Sequence, residues 1–201
     1  MGYRSLAPYV WPIYAPWMAS SLGMSTLLVA LPIWLLGGGH GYVLTSMVAG
    51  AGGAGAAVGA LLVGNLVDRS GPARVAAGSL LLMVVASASM ALIGHVVVLG
   101  LGHLAFGMGS IGVMLSRQAD LTSRIPRYLR GRAMSVMGGS MRLSVLVGTV
   151  AGGALVEVVG GRWTIAAAGL AAAVGLPAVI PTALRPEREV APTGTDGPGL
   201  A

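Results

Sequence analysis

The chain has 201 residues, of which 55% are hydrophobic and only 9% charged, and its mean hydropathy is +0.84. A soluble domain carries about 25% charged residues, so this composition cannot furnish a water-facing surface, and an all-α integral membrane protein is expected. The net charge of +6 arises from 12 arginines without a lysine, and cysteine is absent, which excludes a lysine-dependent phosphate loop, disulfides, thiol catalysis and thiolate metal sites.

Residues 1–16 are expected to form a cytoplasmic or interfacial N-terminus. Tyr9, Trp11, Tyr14 and Trp17 gather there, as in the aromatic belt of a membrane interface. Arg4 ahead of an apolar run resembles a secretory signal, but the run from 17 to 36 is long and others follow, so an uncleaved first span is expected. "MGYRSL" has Leu6 where myristoylation needs Ser or Thr. A helix needs about 20 apolar residues to cross roughly 30 Å of hydrocarbon. Six stretches qualify, at about 17–36, 43–66, 73–94, 96–116, 133–156 and 162–182. The third and fourth share one uncharged run, Val75 to Ser116. As a single helix it would measure about 63 Å, twice the membrane, so it must fold back, and Gly94-His95 is the evident turn. After Leu184 the text turns to "RPEREVAPTGTDGPGLA", and 185–201 reads as a disordered cytoplasmic tail. The bundle therefore occupies 17–184.

With the N-terminus inside, the cytoplasmic segments carry Arg4, Arg69, Arg74, Arg117, Arg124, Arg127, Arg130, Arg132, Arg185 and Arg188, against Arg162 outside. This asymmetry is the positive-inside pattern. It accounts for the basic charge without nucleic acid and places both termini in the cytoplasm of a multi-pass protein of the plasma membrane. The Arg-only, Ala/Gly-rich usage fits a GC-rich bacterial genome.

Glycine is concentrated within the spans. Ala51, Gly55 and Gly59 share a face of the second, and Gly148 and Gly152 repeat the spacing in the fifth. Small residues at this interval let helix backbones approach where hydrophobicity gives no drive between helices. "GAGGAG", Gly50 to Gly55, matches the dinucleotide fingerprint by letter only. It lacks a preceding strand, and the next acid, Asp68, comes too early.

Between spans two and three stands "GNLVDRSGPAR". Gly64, Leu66, Asp68, Arg69 and Gly71 give G-x-L-x-D-R-x-G, with Arg74 following. This resembles the signature loop of the major facilitator superfamily, which joins the same two helices in that family. Pro72 and Ala73 stand where the family often has basic residues. Gly64 is expected to admit a neighbouring helix, and Asp68 to favour the N-terminus of span three or to pair with Arg69, Arg74 or an arginine of another helix, forming a cytoplasmic gate. "HLAFGMGS" resembles the family's R-x-x-Q-G-x-G pattern through Gly107 and Gly109, with His103 and Phe106 replacing Arg and Gln. "SVLVGTVAGG" resembles the G-x-x-x-G-P-x-x-G-G stretch of antiporters through Gly148, Gly152 and Gly153, with Ser144 and Thr149 replacing Gly and Pro.

Charge within a span is costly and marks pathways. Arg142 is the charged residue set well inside one, and Ser135, Gly138 or Gly139, Arg142 and Thr149 share a face of span five. Arg142 is a candidate to line a central cavity and meet an anionic group; the alternative is an arginine that snorkels or binds carbonyls. His103 can carry a proton or serve as a hydrogen-bonded structural histidine. No Asp or Glu falls inside a span, so a carboxylate proton relay is not expected. Neither a cofactor nor a metal site nor an enzyme activity is expected, since the histidines lack ligand spacing and Ser140 lacks a His partner.

The resemblance covers one six-helix half of a family whose members have two, with substrate between them. It implies a secondary transporter that moves a small solute by alternating access, as a dimer or with a second half, through a cavity-facing surface on spans one, two, four and five. Membrane lipid, a small solute and a second six-helix half are the expected partners. The alternatives are a truncated fragment, a non-transporting interaction module or, less readily, an ABC-type permease subunit, whose coupling loop would need a glutamate that Arg117–Arg132 lacks.

Overall fold

A computed structural model describes residues 13–184. The expected N-terminal residues Arg4, Tyr9 and Trp11, and the tail 185–201, lie outside the described residues. Seven α-helices follow: α1 Ala15–Gly37, α2 Tyr42–Ser70, α3 Pro72–Ile93, α4 Val96–Arg124, α5 Arg130–Val159, α6 Gly161–Val174 and α7 Leu176–Ala183, with a 3-10 turn at Arg127–Leu129 before α5. They make six helical segments long and apolar enough to span a membrane, α6 and α7 together forming the sixth.

The turns follow from local chemistry. Gly94 ends α3 in the left-handed region at φ 67°, and the Val97 amide donates to Nδ1 of His95, which caps α4. This is the hairpin expected within the long apolar run. Gly71 joins α2 to α3 at φ 78°, ψ 152°, and Gly160 joins α5 to α6 at φ 83°, ψ 161°. Only glycine adopts this backbone without strain, so each junction is a one-residue corner between two spans. The sixth span breaks at Gly175 because Pro177 supplies no amide and its ring crowds the preceding turn. A Cβ on Gly175 would also press on Pro16, at 3.1 Å.

The six spans form two groups of three that exchange partners. α2 packs chiefly on α4 and α5 on α1, while α3 packs on α4 and α6 on α1, with α3 against α6 closing the arrangement. The matching corners at Gly71 and Gly160 lie at opposite ends of the bundle, as an inverted three-plus-three repeat requires. The central core joins Leu27 and Leu31 of α1, Leu80, Met83 and Met90 of α3, Phe106 and Val113 of α4, and Ile165 and Ala168 of α6. A second cluster at the arginine-rich end joins Ile13, Tyr14 and Trp17 to Leu121, Ile125, Leu129, Ala133 and Met137.

This second cluster corrects the aromatic-belt expectation for two residues. Tyr14 and Trp17 are buried rather than facing lipid, and Tyr14 donates to the Ala133 carbonyl at 3.2 Å. α4 and the 3-10 turn carry apolar side chains over the start of α1 and enclose both rings. Helix lengths differ as well. α2 runs on to Ser70 and α4 to Arg124, past the ends near 66 and 116 expected from hydropathy. The segments read from sequence as loops are therefore largely helix.

Candidate functional site

Gly64, Leu66, Asp68 and Arg69 occupy the last two turns of α2, Gly71 is the corner itself, and Arg74 lies in the first turn of α3. The expected close approach at Gly64 is absent among the described residues, for a Cβ there would meet nothing within 4 Å. Asp68, Arg69 and Arg74 are all exposed, and no ion pair joins them to one another or to the described arginines. The motif's charged groups thus point out of this bundle, while Gly71 is buried and conformationally obligatory.

The buried charge at this end is elsewhere, on α4. Arg117 is fully buried, and its Nη1 donates to Asp120 Oδ2 at 2.9 Å while Nη2 donates to the Pro72 carbonyl at 2.8 Å. Asp120, also buried, receives Arg124 Nε on its other carboxylate oxygen. An i, i+3 and an i, i+4 pair thus share one acid on one helix face, and the inner arginine ties α4 to the first residue of α3. The spacing R-x-x-D-x-x-x-R was visible in sequence. Hydropathy alone does not carry the helix past Ser116, and without a helix this spacing has no facial meaning.

At the other end, Arg162 plays the corresponding part: its guanidinium donates to the Ala91 and Leu92 carbonyls, Nη2 to Leu92 at 3.1 Å. The last carbonyls of α3 are thereby satisfied across the corner from Gly160.

The glycines divide by what they touch. A Cβ on Gly55 would overlap the Leu104 backbone, one on Gly107 the Gly52 carbonyl, and one on Gly148 the Ser25 hydroxyl. Gly59 lies against Ile111 and Met108, Gly109 against Met83 and Ser79, and Gly152 against Thr26, at 2.6, 2.6 and 2.9 Å from an added Cβ. Gly153, by contrast, faces open space. Hydroxyls and one imidazole bond across the same seams. Thr26 donates to the Gly148 carbonyl at 3.2 Å, and His103 Nδ1 lies 2.9 Å from the Val48 carbonyl.

That contact fixes the histidine's tautomer, because a carbonyl only accepts and Nδ1 must therefore hold the proton. His103 is fully buried, its ring fills the space in front of Gly52, and Nε2 has no hydrogen-bond partner among the described residues. A second proton on Nε2 would find no acceptor there. The imidazole thereby links α4 to α2 through the Val48 carbonyl.

A cavity of roughly 200 Å³ opens where α1, α2, α4 and α5 meet. Trp17, Ser20, Ser21 and Met24 of α1 line it with Ala56 of α2, Gly107, Ser110, Ile111 and Met114 of α4, and Met141 of α5. Its chemistry is methionine, hydroxyl and aromatic, with no charged side chain. Arg142, next to Met141, is exposed and is not among these lining residues; Ser135 and Thr149 are exposed too, and Ser135 donates to the Gly131 carbonyl at 3.0 Å. These three share the α5 face turned away from α1, whereas Ser144, Gly148 and Gly152 are buried against it. That outer face belongs to the least buried span. Only 17% of the fifth span and 28% of the second are buried, against 44% to 56% in the others. Among the described residues no three His, Asp or Glu side chains gather where a metal could bind.

Comparison with known proteins agrees with this architecture. The family profile of the Major Facilitator Superfamily matches residues 9–199. Among curated proteins, the chain is 28% identical over 162 residues to an uncharacterized MFS-type transporter, Rv1250, of Mycobacterium tuberculosis. The match takes in 80% of this chain and 28% of that relative, so the chain spans between a quarter and a third of its length.

Proposed function

The chain belongs to the Major Facilitator Superfamily, and we propose that it is one six-helix half of a secondary transporter, which moves a small solute by alternating access once paired with a second half. The observation that carries this reading is the uneven burial of the spans. α2 and α5 flank the cavity at the α1–α4 junction and leave most of their own surfaces uncovered. A second six-helix unit, from another chain or a second copy of this one, would cover those faces and enclose the cavity. Gly64 and Asp68 on α2, and Ser135, Arg142 and Thr149 on α5, would then lie at the junction between halves. Arg142 would meet an anionic group there, from a solute or from the partner, and Asp68 would take a partner from the opposing unit. The reading is of a transporter and not an enzyme.

Arginine asymmetry supports a plasma-membrane protein with the Gly71 corner and both termini in the cytoplasm. The absence of cysteine makes single-cysteine probes clean. Gly39→Cys should react with an impermeant maleimide on intact cells, and Gly131→Cys only after permeabilisation; the reverse pattern would refute the orientation. For assembly, Gly64→Cys and Gly138→Cys should cross-link to a second six-helix unit, whereas Leu81→Cys, exposed on α3, should not cross-link more than background. Proteoliposomes of this chain with that partner should take up or release a solute from a panel, and Arg142→Ala should lower the rate at least tenfold. Normal transport by both Arg142→Ala and Arg142→Lys would remove Arg142 from the mechanism. A chain that stays monomeric and captures no second half would sink the reading itself.

A further inference from the structure

A second, larger cavity lies on the flank of the bundle, about 610 Å³ between α2 and α3 and backed by Met108 of α4. Such a volume lies within the range of small-molecule sites. Its walls are apolar along most of their length, through Leu62, Val63 and Leu66 of α2 and Val75 and Leu82 of α3. Its one charged side chain, Arg74, stands with Ser70 beside the Gly71 corner, and Asn65 and Ser79 are the polar residues further along.

The dimensions match one leaflet. From Arg74 to Leu82 the cleft follows α3 for about 12 Å, and from Ser70 to Gly59 it follows α2 for about 16 Å. Half of a hydrocarbon core is about 15 Å. A cleft with a cation at the headgroup level and mainly hydrocarbon walls down to mid-membrane is complementary to a molecule with an anionic head and a linear apolar tail. The anionic leaflet surface favours each nearby arginine. α3 adds to the positive field: its N-terminus has no side-chain cap and no acid in its first turn. Asp68, the nearest acid in sequence, does not line the cleft. Helical periodicity puts it with Leu61 and Gly64 on the side of α2 opposite Gly59 and Val63. The cleft is therefore separate from the α2 face proposed to meet a second half.

We infer that this cleft binds one anionic phospholipid from the leaflet at the arginine-rich end, with an acyl chain between α2 and α3 and its phosphate on Arg74. A comparison lies within the same molecule. The groove of about 430 Å³ between α1, α5 and α6 is lined by Met18, Leu22, Leu143, Val147 and other apolar residues and carries no charged side chain. It offers hydrocarbon walls without headgroup selection.

The test uses the full chain in nanodiscs of phosphatidylcholine doped with phosphatidylglycerol, with retained lipid counted by native mass spectrometry. The wild type should retain one phosphatidylglycerol with about fivefold preference over phosphatidylcholine, the worth of one arginine near the membrane surface. Arg74→Gln should abolish that preference and Arg74→Lys should keep most of it. Gly78→Leu, placed where an added Cβ meets nothing within 4 Å and within the cleft lining, should lose retained lipid of both kinds. Val147→Phe in the uncharged groove should leave the preference unchanged. Equal retention of the two lipids by the wild type, or an unaltered preference in Arg74→Gln, would overturn the inference. So would displacement of the lipid by millimolar glycerol phosphate, which would mark a bare anion site that needs no acyl chain. Arg74 is exposed, so its variants report on binding even if the Gly78 variant does not fold.

Discussion

Replacing Asp120 with alanine tests whether the α4 charge node holds the end of the bundle together. The side chain of Arg117 is 0% exposed and that of Asp120 3%, and their contact of 2.9 Å lies beneath the α2–α3 corner. Removing the acid leaves a buried guanidinium that has lost its counter-charge and keeps its bond to the Pro72 carbonyl. Breaking a buried pair from one side costs about 3–5 kcal/mol. For a chain of this size each kcal/mol moves the melting temperature by about 2–4 °C, so a fall of roughly 6–20 °C is expected. Replacing both partners with apolar residues, as in Arg117→Met with Asp120→Leu, removes the buried charge altogether and should recover most of the loss. It should remain about 1 kcal/mol short, because the Pro72 carbonyl loses its donor. Arg124→Gln should cost at most about 1 kcal/mol, since that arginine is half exposed. The assay is loss of the folded, monodisperse species on heating in detergent, followed by fluorescence-detected size exclusion. An Asp120→Ala protein that melts within 3 °C of wild type, or a double variant no better than the single one, would refute the argument.

Three further outcomes follow from the same geometry. Gly71→Ala and Gly160→Ala should each cost about 1–3 kcal/mol, because both corners require positive φ; Gly64→Ala should instead be neutral or slightly stabilising in the isolated chain, as a helical glycine with open space beside it. Denaturation midpoints of the three variants decide this, and a neutral Gly71→Ala would refute it. Gly107→Ala should spoil the α2–α4 seam by driving a Cβ into the Gly52 carbonyl, at about 1–3 kcal/mol, while Gly53→Ala, with nothing within 4 Å, should not; yield of monodisperse protein separates them. His103→Ala should lose the bond to Val48 and open a cavity before Gly52, at about 2–4 kcal/mol. An unchanged melting temperature for His103→Ala would show that the imidazole does not pin the helices.

Much of the fold was legible because the bilayer imposes one rule on sequence: backbone polar groups must be satisfied within the segment, so each span appears as a long apolar run. That rule gave the six spans, the hairpin at Gly94-His95 and the membrane class. Spacing gave the seams at Gly55, Gly59, Gly148 and Gly152, since residues four apart share a helix face. What hydropathy could not give was where a helix ends once it leaves the hydrocarbon. α4 continues through charged residues because its last turns are held by the buried Leu121 and the Arg117–Asp120 pair, while α2 runs on through Asp68 and Arg69 to the Gly71 corner with its last turn largely exposed. For the same reason Tyr14 and Trp17 read as an interfacial belt and proved to be core.

The sequence by itself determined that this is a helical membrane protein with six apolar stretches long enough to span. Composition and length suffice for that, because insertion into lipid is decided segment by segment. Only the tertiary structure decided which helices touch, and hence which charges matter. It placed Arg117 and Asp120 in the interior and turned Asp68, Arg69, Arg74 and even the mid-span Arg142 outward. It bound His103 to a carbonyl, which hydropathy cannot register. And it left α2 and α5 mostly uncovered, a property of the gaps between helices and not of any one segment. Burial is a relation between distant parts of the chain, and no local pattern carries it.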